Sequence, residues 1–311
     1  MKYRPLGSTG ITVSAIGLGS WQLANPVWGT ADPAEALRVV QTALDEGCTF
    51  FDTAPGYAEG RSEELLGRAL QSVRGSVAIC SKFGHTADGA TDFRVAAVRG
   101  SIEASLRRLR TDYLDVLLVH NPPAELLDGA RTSLYDELER LRSEGKLRSY
   151  GVSIDSADDL AKVVGTTRSG VAEILFNAFH QEPQAAFAAA QAKGVGLIAK
   201  VPLDSGWLSG KYRRDSRFGG VRERWTPEVI ARRAALVEQF AALLPPGLPL
   251  AQAALQFVLA QPEMATVIPG AKTPEQARAN FAAARDDLLP EVVQSIRTLW
   301  ECELRAAPLP W

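Results

Sequence analysis

The sequence predicts a closed (β/α)8 barrel, and three observations carry that prediction. Apolar runs of strand length alternate with helix-period segments eight times along 311 residues, with no break in composition. The glycine fingerprint that opens a doubly wound open sheet is missing: Gly17 and Gly19 follow the first run, but no third glycine begins a helix. Three successive apolar runs end on Asp52, Lys82 and His120, and loop residues follow each at once. An ionised group at the end of a buried strand needs a partner. The three ends should therefore converge, as they do at the mouth of a barrel.

The elements follow in order. Strands are expected at 13–19, 49–53, 77–82, 113–120, 149–154, 173–178, 196–201 and 265–269. The first helix is marked by Asp32 as N-cap, Pro33 in the first turn, Glu35 completing a capping box and Gly47 as its stop. Further helices are expected at 61–74, 94–110, 131–145, 155–165, 183–193, 249–261 and 273–284. In the segment 94–110, Val95, Val98, Ile102, Leu106 and Leu109 form an apolar stripe, and Arg99, Arg107, Arg108 and Arg110 face away. Two more helices, near 226–243 and 288–304, lie outside the eightfold count and are expected to pack on the outside. The segment 204–225, rich in Gly and Arg, reads as a functional loop. A single domain over 1–311 is the economical reading.

Composition excludes several function classes. Hydrophobic content of 46% and charge of 23% suit an ordinary globular core, and a net charge of −2 gives no reason to expect nucleic acid or a membrane surface as partner. No apolar stretch is long enough to span a bilayer and no leader pattern opens the chain, so a soluble, cytoplasmic protein is expected. Cys48, Cys80 and Cys302 lack metal-ligand spacing; the first two fall in or beside apolar runs and read as buried reduced thiols, and no metal is expected. No pattern sets an oligomeric state.

The chemistry sits at the strand ends. Tyr57 lies five residues after Asp52, close enough in the loop to bend over the same mouth. A tyrosine near a lysine, a carboxylate holding that lysine and a histidine alongside suit a general acid that protonates a developing alkoxide. Free tyrosine has a pKa of about 10, and a neighbouring ammonium is expected to lower it. Taken singly, each residue has a plain structural reading: Asp as a cap, Lys as a solvated tip, His as a structural group. Their grouping in this order is what points to catalysis.

At these residues the chain resembles the aldo-keto reductase family. FFDTAPGYAEGRSEELLG is similar to a signature of that family, and YRPLGSTGITVSAIGLGSW resembles its hairpin and first strand. IEASLRRLRTDYLDVLLVHNPP, RSYGVS and TVIPGAKTPEQARAN resemble further blocks in the expected order. The resemblance implies a TIM barrel with an N-terminal β-hairpin that binds a nicotinamide dinucleotide without a Rossmann fold and moves a hydride between cofactor and a small-molecule carbonyl or alcohol. Tyr57 would be the proton donor, Lys82 and Asp52 would tune it, and His120 would orient the carbonyl.

The same resemblance implies cofactor contacts from Gly19, Ser20, Trp21, Asp52, Ser153, Glu173, Asn177, Lys200 and Pro202. PLDSGWLSGK is similar to a pyrophosphate loop, implicating Leu203, Ser205, Gly206 and Lys211, with Arg213, Arg214, Arg217, Arg222 and Arg224 as candidate helpers. Gly270, Lys272, Gln276 and Asn280 would surround the adenosine, and Lys272 would meet a 2′-phosphate, favouring NADP(H) over NAD(H). For Gln276 the plain reading is a capping box with Thr273; for Lys272 it is a solvated lysine. Three positions depart from the family pattern: Ile154 stands for an asparagine, Glu173 for a glutamine and Lys200 for an aromatic residue. The two charged residues sit on adjacent strands and are expected to pair, since either charge alone would be costly there.

Three functions compete at this stage. One is a carbonyl reductase, or a sugar or alcohol dehydrogenase working oxidatively. Another is a cofactor-binding redox-sensing subunit with little turnover. A third is a lyase using Lys82 as a Schiff-base amine, against which the adjacent carboxylate argues. Trp21, Tyr57 and His120 are the expected substrate contacts. Trp28, His85, Trp207 and Trp311 are candidate pocket walls, and His85 and His180 read equally well as structural.

Overall fold

The protein is described here by a computed structural model covering residues 1–25 and 32–310, so Trp28 and Trp311 lie outside the described residues. Strands β1 (Tyr3–Pro5) and β2 (Thr12–Ser14) form an antiparallel hairpin with Tyr3 opposite Ser14. Eight strands then follow in one parallel sheet in chain order: β3 (Leu18–Gly19), β4 (Phe50–Asp52), β5 (Ala78–Phe83), β6 (Leu114–His120), β7 (Leu147–Ile154), β8 (Val171–Leu175), β9 (Gly196–Lys200) and β10 (Met264–Val267). Parallel bridges Ile16–Val267 and Gly19–Gly270 join the first strand to the last. Gly17 N donates to Val267 O at 2.9 Å and Val267 N to Ala15 O at 3.0 Å. The sheet thus closes on itself and pairs both of its edges.

Helices α1 (Pro33–Asp45), α2 (Arg61–Leu70), α3 (Val95–Leu109), α4 (Leu134–Ser143), α5 (Ala157–Thr166) and α6 (Phe187–Ala192) make the first crossovers. After α7 (Pro227–Ala242) come α8 (Leu250–Leu259), α9 (Pro274–Ala282) and α10 (Pro290–Glu303). Helices α7 and α10 are the two additions to the eightfold count. Asp32 caps α1 by accepting from Ala34 N at 2.9 Å, and Glu35 is engaged by Arg38 instead of closing the expected capping box. Along α3, Val98, Ile102, Leu106 and Leu109 are buried, as the stripe requires.

The core has two layers. Leu6, Ile11 and Val13 of the hairpin region plug the barrel floor against Phe50, Ala78, Cys80, Val116, Leu118, Val171 and Ile198, all inside the sheet. Alternate residues such as Phe51, Ile79, Leu117 and Val152 point outward and pack under the helices. Gly151 is required where β7 meets β8, because a Cβ there would lie 1.7 Å from Val171 O. All three cysteines are free thiols, with Cys48 and Cys80 buried and Cys302 exposed. Among the described residues no helix is long and apolar enough to cross a membrane.

Most boundaries shift by a few residues, and two of the shifts bear on the site. The expected strand 13–19 is two strands, because the chain leaves the hairpin at Ser14 and enters the barrel at Leu18. The strand expected at 173–178 runs instead from Val171 to Leu175, which carries Glu173 mid-strand and leaves Asn177 in a turn bridged to His180.

Candidate active site

Side chains alternate along a strand, and that period sets the site. Two residues beyond the inward Phe50, Cys80, Leu118, Gly151, Val171 and Ile198 stand Asp52, Lys82, His120, Ser153, Glu173 and Lys200. Each strand thus points apolar groups into the barrel and turns polar at its C-terminal end. Register aligns Asp52 with Cys80, His120 with Ser153, and Ser153 with Glu173. A cleft of about 800 Å³ opens above this layer, lined by Trp21, Asp52, Tyr57, His120, Glu173 and Lys200 at one end and by Lys211, Lys272, Gln276 and Asn280 at the other.

Lys82 is fully buried and donates to both carboxylate oxygens of Asp52 at 2.6 Å and to Thr53 O at 3.1 Å. Glu173 Oε2 lies 3.4 Å from the same ammonium. Burial works against charge on Lys82, yet Asp52 and Glu173 hold its pKa well above the usual lysine value. Two carboxyls crowd one cation, and the result is asymmetric. Burial, reinforced by Glu173, pushes Asp52 up to about 8. Burial opposes ionisation of Glu173 too, but Lys82 and Lys200 keep its pKa below the ordinary value. Asp52, Cys80 and Glu173 bring ligand atoms within 4.8 Å of one another; here the Lys82 ammonium supplies the positive charge a metal would otherwise bring.

The Lys82 ammonium lies 5.3 Å from the Tyr57 ring centroid, and the Tyr57 and His120 rings meet edge to face at 6.1 Å. The expected lowering of the Tyr57 pKa is reversed in this state. Burial raises it above 10 and outweighs the opposing pull of Lys82. His120 is held well below its usual value by burial and then by Lys82, His85 and Lys200, so its ring is neutral. Its Nδ1 is buried without a hydrogen-bond partner. His85 packs edge-on against it at 4.8 Å.

The expected Glu173–Lys200 ion pair does not form. Lys200 Nζ has three acceptors at 2.8 Å: Asn121 Oδ1, Ser153 Oγ and Asp155 Oδ1. Ser153 Oγ in turn donates to Glu173 Oε1 at 2.8 Å. The two charges communicate through a hydroxyl, while Glu173 turns its other oxygen to Lys82. The register explains this: Lys200 stands beside Leu175, whereas Glu173 stands beside Ile198, one layer deeper. The sequence did not point to Asn121 and Asp155; Asn121 directly follows the polar strand end His120, whereas Asp155 follows the apolar Ile154.

At the far end Lys211, Arg222, Arg224 and Lys272 line the cleft. Burial, then Lys211 and Arg222, depress the Lys272 pKa, the signature of cations drawn together. Gly206 has φ +97, and a Cβ there would press on Lys211 Cε at 3.1 Å. Val201, Asp204 and Ser205 also take positive φ, so the loop turns tightly after β9. Gln276 Oε1 accepts from Lys272 N at 2.9 Å, and Thr273 Oγ1 from Gln276 N at 3.3 Å. Thr273 thus caps α9 as expected, the Gln276 side chain closes on Lys272 N instead of Thr273 N, and Gln276 also lines the cleft. A concave site with phosphate-matching cations at one end and a polar acid–base group at the other fits a dinucleotide.

The remaining candidates divide plainly. Gly19, Pro202, Leu203, Ser205, Gly206 and Gly270 line the cleft, as does Gln22. Ser20 is buried and donates to Asp52 O at 2.7 Å, supporting the strand end from behind. Asn177 is buried, donates to Val201 O and accepts from Phe179 N, away from the cleft lining. Arg213, Arg214 and Arg217 are not among the lining residues, and Trp207 is fully buried under the loop instead of walling the cleft. His180 places Nε2 3.2 Å from Asp155 O.

Comparison with known proteins agrees with this geometry. The family model described as "Aldo/keto reductase family" matches residues 15–301. The chain is 30% identical to an L-galactose dehydrogenase from Arabidopsis thaliana, over 99% of this chain and 95% of that protein. It is 29% identical to an NADH-specific methylglyoxal reductase from Escherichia coli, over 93% and 95%. The solved glycerol dehydrogenase from Gluconobacter oxydans superposes with a TM-score of 0.83 at 26% identity, over 99% of this chain and 97% of that one. A barrel closed in this order, its polar layer at the C-terminal strand ends and these similarities lead to one conclusion: the chain belongs to the aldo/keto reductase family and is an NAD(P)H-dependent oxidoreductase.

Proposed function

We propose that this protein reduces small hydroxylated aldehydes or ketones with NADP(H), using Tyr57 as the general acid. The observation that carries the reading is the Lys82 ammonium, chelated by Asp52 at 2.6 Å and set 5.3 Å from the Tyr57 ring centroid, with a neutral His120 beside it. When bound, the reduced nicotinamide supplies the hydride. Tyr57 gives its hydroxyl proton to the carbonyl oxygen as charge develops there, and Lys82 stabilises the phenolate left behind. Neutral His120 orients that oxygen by hydrogen bonding without competing for the proton. Trp21 at the mouth offers an apolar face to a sugar or other small polyol.

The preference for NADP(H) rests on Lys272, Lys211, Arg222 and Arg224 around one end of the cleft, a cluster of donors suited to an extra phosphate. The oxidative direction is a second reading, favoured by the relatives named L-galactose dehydrogenase and glycerol dehydrogenase. A Schiff-base role for Lys82 is disfavoured, because its pKa is raised and its amine is held as the ammonium. A redox-sensing subunit is disfavoured by His120, which such a role does not need. The test is NADPH and NADH consumption across a panel of carbonyls, comparing wild type with Tyr57→Phe. Wild-type turnover lost in the variant supports the reading; equal turnover by both proteins removes Tyr57 as the acid.

A further inference from the structure

Reduction of a carbonyl consumes one proton per alcohol formed, and in the reading above that proton leaves from Tyr57. Tyr57 must then be recharged before the next turnover. The inner side of Lys82 holds a feature the acid–base group does not require: a second carboxyl, Glu173, buried, with Oε2 facing the Lys82 ammonium at 3.4 Å and making no hydrogen bond. Glu173 Oε1 accepts from Ser153 Oγ at 2.8 Å, Ser153 Oγ accepts from Lys200 Nζ at 2.8 Å, and Lys200 Nζ meets Asp155 Oδ1 at 2.8 Å. The Asp155 side chain is 54% exposed, whereas those of Glu173 and Lys200 are 2% and 13% exposed. A continuous file of exchangeable groups therefore runs from the buried ammonium to solvent, through strands β7, β8 and β9.

We propose that Glu173, Ser153, Lys200 and Asp155 form a proton path that recharges Tyr57 from solvent. The inference rests on the reductase reading. The balance is as follows. Tyr57 O–H breaks as the product O–H forms, and the phenolate takes a proton from Lys82 Nζ. Lys82 takes the proton held on the Asp52 carboxyl, and Asp52 regains it from Glu173, whose carboxyl oxygen lies within 4.8 Å of that of Asp52. Ser153 returns a proton to Glu173 Oε1, Lys200 returns one to Ser153, and Lys200 is replenished from water at Asp155. One proton enters from solvent for each alcohol released, and no redox change occurs along the path. Two carboxylates around one buried ammonium would leave an uncompensated charge, so holding one proton between them is the favourable resting state. Charged and titratable groups facing this file are Asp52, Tyr57, Cys80, Lys82 and His120. Glu173, Ser153, Lys200 and Asp155 act through Tyr57 and are positioning residues in this sense.

The test uses Asp155→Asn and Glu173→Gln with NADPH and glyceraldehyde as probe. The path predicts that Asp155→Asn slows steady-state reduction by about tenfold and raises the solvent deuterium isotope effect. Added imidazole should rescue it, while the single-turnover hydride step and NADPH affinity by fluorescence stay as in wild type. It also predicts a protonated-carboxyl infrared band at neutral pH that shifts in D2O and disappears in Glu173→Gln. Turnover in Asp155→Asn that equals wild type, with no dependence on added imidazole, overturns the path. So does absence of the infrared band. A wild type that binds NADPH but reduces no carbonyl would count against the reductase reading, and the infrared result would still decide whether the Asp52–Glu173 pair holds a proton.

Discussion

At the barrel end of the cleft each charge has an opposite charge within 3.4 Å: Lys82 with Asp52 and Glu173, Lys200 with Asp155. At the far end Lys211, Lys272, Arg222 and Arg224 crowd one another, and the lining carboxylates Asp52, Asp155 and Glu173 all belong to the other side. The first end is complete in itself. Lys82, Asp52, Glu173 and Lys200 are largely buried and held by one another and by Ser153, so their geometry is set before any ligand arrives, as a reacting centre requires. The second end gathers four cations of like sign along one wall of the cleft. The contrast is between charges of opposite sign locked together at one end and charges of like sign gathered at the other.

Breaking the first end should give the largest effect. Tyr57→Phe is expected to lower the reduction rate by roughly 10²–10⁴-fold, with NADPH affinity unchanged by fluorescence titration. Lys82→Met strips the cation from two buried carboxyls and should destabilise the fold by about 3–5 kcal/mol, read as a lowered urea midpoint. At the second end the same kind of change should behave oppositely. Lys272→Ala should leave the urea midpoint in place but weaken NADPH by roughly tenfold, the worth of one charge-assisted hydrogen bond, with NADH binding little altered. Raising salt should reproduce that loss in wild type. Equal losses for NADH and NADPH would sink the 2′-phosphate role.

The smallest effect concerns pH and sharpens the contrast within the first end. In reduction Tyr57 acts in its protonated form, and burial raises its pKa above 10, so the acid is intact below that and lost only as pH climbs through it. His120 is shifted the other way, below 6.5, and stays neutral until the solution is distinctly acid. Single-turnover reduction should thus show no inflection from either group between pH 6.5 and 10, and a step near 8 would report Asp52. An inflection near 6.5 in wild type that vanished in a His120 variant would contradict the neutral assignment.

Much of this was legible in the sequence. Eight alternations gave the barrel, and polar residues at period-two positions after apolar ones gave the inward layer, because the pleat leaves them no other direction. What sequence could not supply was depth. Adjacent strands suggested that Glu173 and Lys200 would meet, but register sets them one layer apart, and Ser153 fills the gap. Likewise the proximity of Lys82 to Tyr57 was readable, whereas the burial that reverses the tyrosine's shift depends on the whole fold. Asn121 and Asp155 went unread because each lies just past its strand, where a polar residue ordinarily marks a turn.

The bridges Ile16–Val267 and Gly19–Gly270 have a consequence for how the protein is made. They are a seam between the two ends of the chain, and Gly19, Trp21, Gly270 and Lys272 place the cleft across it. Such a seam cannot zip until the chain has been synthesised past Gly270, and contacts of that sequence span are slow to form. A dinucleotide lying across both lips would act as a clasp. Its concentration should then govern how often the barrel springs open, through simple mass action on the closed form.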